Sequence, residues 1–346
     1  MGNVLLLFIG VFACSTAVIM IIKSALDPML ISAYRLLAAV VLLSPFFVRD
    51  YQAARPRLTF AALLRRALVP GLLLGGHFIL WVIGARLTPP ANSSLVVNMT
   101  PVVMPFCLYL LVRERIDGVE LVGTALAVAG VIVLGVTDFK LSAEYFKGDA
   151  FCVASMLFFV LYLALGRRAS RGLALWLYVA PLYLVGGLLC LVCGLISGAD
   201  PLSALSAREA LLVLGLALVP TMIGHSSLNF CMRKMRGQAV AIGNLGQFVF
   251  AGILGYFILS EVPDPAFYVA AVLVVAGSVV VLEVPEATVV GVTVTGAVTT
   301  VVATGTVVLI VAAPAEPPPE AVSLGVTRRN TPNKPAARRV MKMVRP

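Results

Sequence analysis

Apolar residues in this chain run in blocks of about 20, and the charges fall between the blocks, not within them. A helix rising about 1.5 Å per residue crosses a hydrocarbon core of roughly 30 Å with such a block. Ten blocks are legible, at 4–22, 30–48, 67–87, 91–112, 118–136, 149–166, 174–196, 209–231, 238–259 and 266–283. Leu, Ala and Val dominate them, without the short alternation of polarity that a membrane-spanning strand requires. The pattern therefore predicts an all-α membrane protein of ten transmembrane helices.

Composition points the same way. A chain of 346 residues that is 60 % hydrophobic and 12 % charged, with mean hydropathy +1.03, lies outside the range of soluble domains. The first block starts next to Met1 without a small-residue cleavage site ahead of soluble sequence, so a retained helix is expected, not a secretory signal. The opening MGNVLL lacks the Ser or Thr at position six that a myristoylation signal needs. Cys14, Cys107, Cys152, Cys190, Cys193 and Cys231 all fall inside blocks, where they act as small apolar residues. Cys190 and Cys193 form a CxxC with no second ligand pair, and neither a metal nor a cofactor is expected.

The net charge of +10 is sorted by loop. Arg49, Arg55, Arg57, Arg65 and Arg66 lie between spans 2 and 3; Arg113 and Arg115 between 4 and 5; Arg167, Arg168 and Arg171 between 6 and 7; Arg233, Lys234 and Arg236 between 8 and 9. The other loops hold only Lys23, Arg86, Lys140, Lys147 and Arg208. The positive-inside rule then predicts that the even loops and both termini are cytoplasmic, in the cytoplasmic membrane. Basic charge here is a topology signal and a contact for membrane lipids; no nucleic-acid partner is expected. The uncharged Val, Thr and Gly stretch 287–313 is long enough to cross, but crossing would strand the basic tail outside. It is expected to be peripheral or disordered, with AEPPPE as a linker behind it.

The stretch LVRERIDG at 111–118 is answered by ILSEVPDP at 258–265. At a constant offset of 147, Glu114 meets Glu261, Asp117 meets Asp264, Tyr109 meets Tyr256, and Ala129-Gly130 meets Ala276-Gly277. The chain thus divides into a first repeat, 1–138, a second repeat, 139–284, and a tail, 285–346. Five spans per repeat force the second copy to insert upside down relative to the first. Inverted repeats are the construction of alternating-access carriers. The carboxylates of the corner read as structural, because negative charge is favoured at the start of the helix that follows.

Two stretches carry a further likeness: TPVVMPFCLYLLVRERIDGVELVGTALAVAG in the first repeat and GQFVFAGILGYFILSEVPDPAFYVAAVLVVAG in the second. With ACSTAVIMIIKSALDPMLISAYRLLAAVVLL near the start, bearing Lys23, Pro28 and Arg35, the chain resembles the drug/metabolite transporter superfamily, specifically its ten-helix EamA-type members, over about 4–283. The resemblance implies a basket of ten helices around a central cavity that carries small metabolites, amino acids or drugs, often outward. One departure is Phe248, which answers Pro101 and predicts that the second repeat lacks the helix irregularity of the first.

Strongly polar side chains at bilayer depth are costly, so they are the default site candidates. No Asp or Glu lies near the middle of a span, and a carboxylate proton relay has no candidate. His77 and His225 sit in matching spans, and Trp81 and Asn229 follow one turn later on the same faces. Asn92 and Asn98, with Thr100, meet Asn244 and Gln247 in spans 4 and 9. Each of these lines a cavity or bonds a neighbouring helix, and the histidines are in addition candidates for proton coupling. Tyr109 and Tyr256 read as packing or interface-belt residues. Arg35, about one turn into span 2, either snorkels to the headgroups or contacts an anionic substrate.

Taken at this level, the sequence predicts a secondary transporter, and an exporter, of a small metabolite, amino acid or drug-like compound, as monomer or homodimer. An integral membrane enzyme or a channel is the alternative. No HExxH, paired intramembrane aspartates or nucleotide-binding loop supports the enzyme.

Overall fold

The structure, a computed structural model, describes residues 2–54, 58–88, 93, 96–97, 99–138, 144–202, 206–259, 262–263, 265–282, 293–295, 298–303 and 306–311. Span 1 is Gly2–Ser15 followed by Ala17–Lys23, span 2 is Pro28–Ala54, span 3 is Phe60–Leu87, span 4 is Thr100–Val112 and span 5 is Gly118–Asp138. Span 6 is Phe146–Ala169 and span 7 is Leu175–Ile196. Span 8 runs through Ala207–Leu216, Ala217–His225 and Ser226–Lys234, span 9 is Gly237–Asn244 and Gly246–Leu259, and span 10 is Pro265–Leu282. Eight of these are long and apolar enough to cross a membrane, and spans 4 and 5 add two shorter apolar helices.

The ends follow ordinary helix chemistry. The Thr59 side chain accepts from Ala62 N ahead of span 3, and Ser206 does the same for Glu209 N ahead of span 8. Pro28 and Pro265 open their helices, where the missing N–H costs nothing. Asp117 and Glu120 form a reciprocal capping box at the start of span 5: Glu120 N donates to Asp117 Oδ1 at 2.8 Å, and Asp117 N to Glu120 Oε2 at 3.1 Å.

The packing has the symmetry of a doubled unit. Span 3 packs on span 6 as span 8 packs on span 1; span 4 packs on span 6 as span 9 packs on span 1. Spans 2 and 7, 4 and 9, and 5 and 10 pair with their own counterparts. Two repeats related by a pseudo-twofold axis give this pattern. Between spans 5 and 10 the approach is close: a Cβ added to Gly277 would lie 2.5 Å from the Gly123 carbonyl oxygen. Small residues allow such contact in lipid, where helices gain little from hiding apolar surface.

Loop contacts sort as the basic residues do. At one end, Arg66 Nη1 donates to Arg171 O at 3.1 Å, Arg233 reaches Leu173 O, and the loops after spans 4 and 8 meet through Arg236. At the other end, Glu209 holds Ser24, Tyr34 donates to Pro201 O at 2.7 Å, and Thr88 donates to Asp149 at 2.6 Å. Even loops thus gather at one end of the bundle and odd loops at the other.

One expectation needs correction. Span 9 is broken at Leu245 although no proline stands there, next to the position that answers Met99, where span 4 is also interrupted. Leu245 N bonds Ile242 O and Phe248 N bonds Leu245 O, a tightening by one residue, while Gln247 donates to Asn244 Oδ1. Glycines at 243 and 246 and these two amides replace what Pro101 does in the first repeat. Glu261 and Asp264, the second copy of the corner, lie outside the described residues.

A second unit, 288–346, contains strands β1 (Thr293–Thr295), β2 (Val298–Ala303) and β3 (Thr306–Val311), antiparallel in the order β1-β2-β3. Its Val and Thr content favours strand over helix.

Candidate substrate cavity

Span 8 is where the sequence departs most from a plain helix. Pro220 has no N–H to give to the carbonyl four residues back, at Leu216, and the helix widens to a π register over Ala217–His225. The next residue repairs the loss: Thr221 Oγ1 donates to Leu216 O at 2.7 Å. The remaining lone pairs of that hydroxyl then face span 2, where Arg35 Nε donates to them at 2.9 Å.

Arg35 sits about two turns, roughly 10 Å, below the start of span 2 at Pro28, deeper than the one turn read from the sequence, because the helix begins earlier. Its guanidinium lies 4.5 Å from the centre of the Phe78 ring, and the residue is 2 % exposed. Snorkelling is excluded by this geometry, since the head group is held by Thr221 and Phe78. Nη2 is buried with no hydrogen-bond partner, and Arg35 forms no ion pair among the described residues.

Around it is a cavity of about 430 Å³, within the size range of small-molecule sites. Its walls come from both repeats: Arg35, His77, Phe78, Trp81 and Ser93 from the first, Phe159, Pro220, His225, Asn244, Gln247 and Phe248 from the second. It extends toward the odd-loop end, where Ser24 and the exposed Arg86 form part of the lining.

Of the residues singled out from sequence, His77, Trp81, His225, Asn244 and Gln247 line this cavity. Asn229 does not. It is buried behind His225, donating to His225 O at 2.8 Å and to Tyr162 Oη at 3.3 Å. Asn92 and Asn98 lie outside the described residues.

The two histidines are held in opposite ways. Ser155 Oγ donates to His77 O at 3.0 Å, and the Ser155 carbonyl, which only accepts, lies 3.1 Å from His77 Nδ1. That places the His77 proton on Nδ1 and leaves Nε2 as acceptor. Tyr162 Oη, accepting from Asn229, lies 3.3 Å from His225 Nδ1 and satisfies all three groups by donating to it. The His225 proton then sits on Nε2, a donor. Phe78, the residue that answers His225 in the first repeat, packs edge-on against it at 5.3 Å, so the counterpart positions meet at the centre.

At the even-loop end, charge pairs join the two repeats. Arg167 binds Glu114 at 2.8 Å and also reaches the carbonyls of Met232 and Met235. Arg236 holds both carboxylate oxygens of Glu120, donates to Arg115 O at 2.7 Å, and lies 3.8 Å from Asp117. Gly237 N donates to Glu114 Oε1 at 2.8 Å. The hydrogen bonds that Arg236 donates to Glu120, then the charges of the surrounding carboxylates, push its guanidinium above its already high ordinary pKa.

Thr221, Ser155, Tyr162, Phe78 and Phe159 were not singled out from sequence. Only Thr221 carried a signal there, a hydroxyl directly after a mid-span proline.

Comparison with known proteins agrees with this architecture. The EamA-like transporter family matches residues 1–136 and again 146–283, one match for each repeat, and the chain belongs to that family of membrane transporters. It is a multi-pass membrane protein in two inverted repeats, with eight membrane-length helices and two shorter apolar ones among the described residues. A solved structure described only as a crystal structure of a protein superposes with TM-score 0.70 at 21 % identity, over 82 % of this chain and 99 % of the other, which shows a shared fold. Among curated proteins, none matches the chain.

Proposed function

We propose that the protein is a secondary transporter that exports a small metabolite across the cytoplasmic membrane by alternating access, with the cavity at Arg35, His77 and His225 as its substrate site. The observation that carries this reading is an asymmetry: the cavity reaches toward the odd-loop end, while the even-loop end is bound shut by ion pairs joining the repeats. Under the positive-inside rule the even loops and both termini are cytoplasmic, so this is an outward-facing arrangement with its inner end closed. Exchanging the roles of two inverted repeats opens the inner end and closes the outer.

Facilitated movement or exchange is the expected mode, because no carboxylate lines the cavity among the described residues. His77 and His225 serve as a neutral acceptor and donor to substrate in this scheme.

The test is an untargeted metabolite comparison of cells with and without the gene, followed by counterflow in proteoliposomes. Saturable exchange of a solute that accumulates in the deletion strain supports a carrier. Non-saturating flux would make it a channel, and turnover of a lipid substrate in detergent would make it an enzyme. Reactivity of a cysteine placed at Arg66 from the cytoplasmic side alone supports the orientation; labelling from outside reverses it.

A further inference from the structure

The cavity presents a cation without a matching anion. Arg35 and, at the mouth, Arg86 are the charged residues of the lining, and no Asp or Glu joins them among the described residues. Glu209, which bonds the lining Ser24 at 2.6 Å, is engaged there and with Ala25 N at 3.1 Å. A buried charge is retained at high cost unless something pairs with it. Arg35 is also pre-set: Nε is held by Thr221, Cζ lies 4.5 Å over the Phe78 ring, and Nη2 has no acceptor.

We infer that the substrate carries an oxyanion group, a carboxylate or a phosphate, that docks on the Arg35 guanidinium, while its remainder packs on Phe78, Trp81, Phe159 and Phe248. The inference rests on reading the cavity as the substrate site. Guanidinium offers a planar fork that matches carboxylate and phosphate oxygens, and both pairings strengthen where water is excluded. Arg86 at the mouth adds a field of the same sign, which raises the local concentration of anions. The His225 Nε2–H and the amides of Asn244 and Gln247 supply neutral partners for other polar atoms of the substrate.

The experiment uses the full chain purified in detergent, with thermal melting and titration calorimetry. Probes are benzoate, propionate and inorganic phosphate, set against benzamide and propionamide as uncharged counterparts. An anion should raise the melting temperature and its amide should not, and the carboxylate and phosphate arms tell which oxyanion is preferred. Arg35→Gln should weaken the preferred anion about tenfold or more, and Arg35→Lys should keep part of the affinity. Amides that bind as well as acids overturn the inference, as does undiminished anion binding by Arg35→Gln. If Arg35→Gln does not fold, the acid-to-amide comparison in the unaltered protein and the Arg35→Lys titration decide the matter. Saturable exchange of neutral or cationic solutes alone, with no anion binding, removes the oxyanion and keeps the carrier. Anion binding with no exchange of any solute removes the carrier and keeps the site.

Discussion

Arg35 and Arg236 are both drawn out of bulk water, and the protein treats them in opposite ways. Arg236 is wrapped by Glu120, Asp117 and the Arg115 carbonyl, with Glu120 itself 1 % exposed in its side chain. Arg35 has one hydroxyl and one aromatic face. The compensated cation ties the two repeats together at the even-loop end; the uncompensated one faces the cavity. Charge balance, more than charge itself, separates the arginine that joins the repeats from the arginine that lines the cavity.

The largest test of that contrast is a pair of glutamine substitutions read in one melting assay. Arg236→Gln leaves Glu120 as a buried carboxylate without its bidentate partner and should cost roughly 3 to 5 kcal/mol, with much of the loss returned by the double variant Arg236→Gln, Glu120→Gln. Arg35→Gln removes a charge that has no ionic partner and should leave stability unchanged or slightly raised. Equal destabilisation by both would end the distinction, since it would mean that Arg35 is as structural as Arg236.

A smaller effect is expected at Thr221, which supports Arg35 from the π stretch. Thr221→Val keeps the shape, removes the acceptor of Arg35 Nε and the donor to Leu216 O, and should destabilise by about 1 to 3 kcal/mol. It should also weaken benzoate binding, while Thr221→Ser restores both. Loss of stability with unchanged anion affinity would show that Thr221 mends the helix at Pro220 without aiming Arg35.

How far these features could be read from the sequence follows from the range of the forces involved. The ten spans were legible because burial in lipid needs an uninterrupted apolar block, and the inverted repeat because its corner keeps acids at fixed spacing. His77 and His225 stood out as rare polar groups in apolar helices. Arg35 was ambiguous, because depth depends on where the helix begins, and Pro28 starts it earlier than hydropathy suggested. Asn229 pointed at the cavity by helical spacing and still lies behind His225, because its amide turns back to donate to His225 O and to Tyr162 Oη on span 6. The break at Leu245 arises from glycines and amides acting jointly, which no single-residue signal announces.

The smallest prediction returns to the corner beside Arg236. Span 4 ends with Arg113 in the left-handed region at φ 60°, where Arg113 N bonds Tyr109 O and Glu114 N bonds Leu108 O, both at 3.2 Å. That helix-ending loop is normally given to glycine, which adopts the conformation without a Cβ clash. Arg113 is exposed, so its retention is explained by charge, as one of the basic residues that hold this loop on its side of the membrane. Arg113→Gly should therefore stabilise the folded bundle by up to about 1 kcal/mol in a melting assay, in the direction opposite to Arg236→Gln. A loss of stability instead would mean that the Arg113 side chain joins the charge network that closes this end, and the boundary between its structural and topological arginines would have to be redrawn.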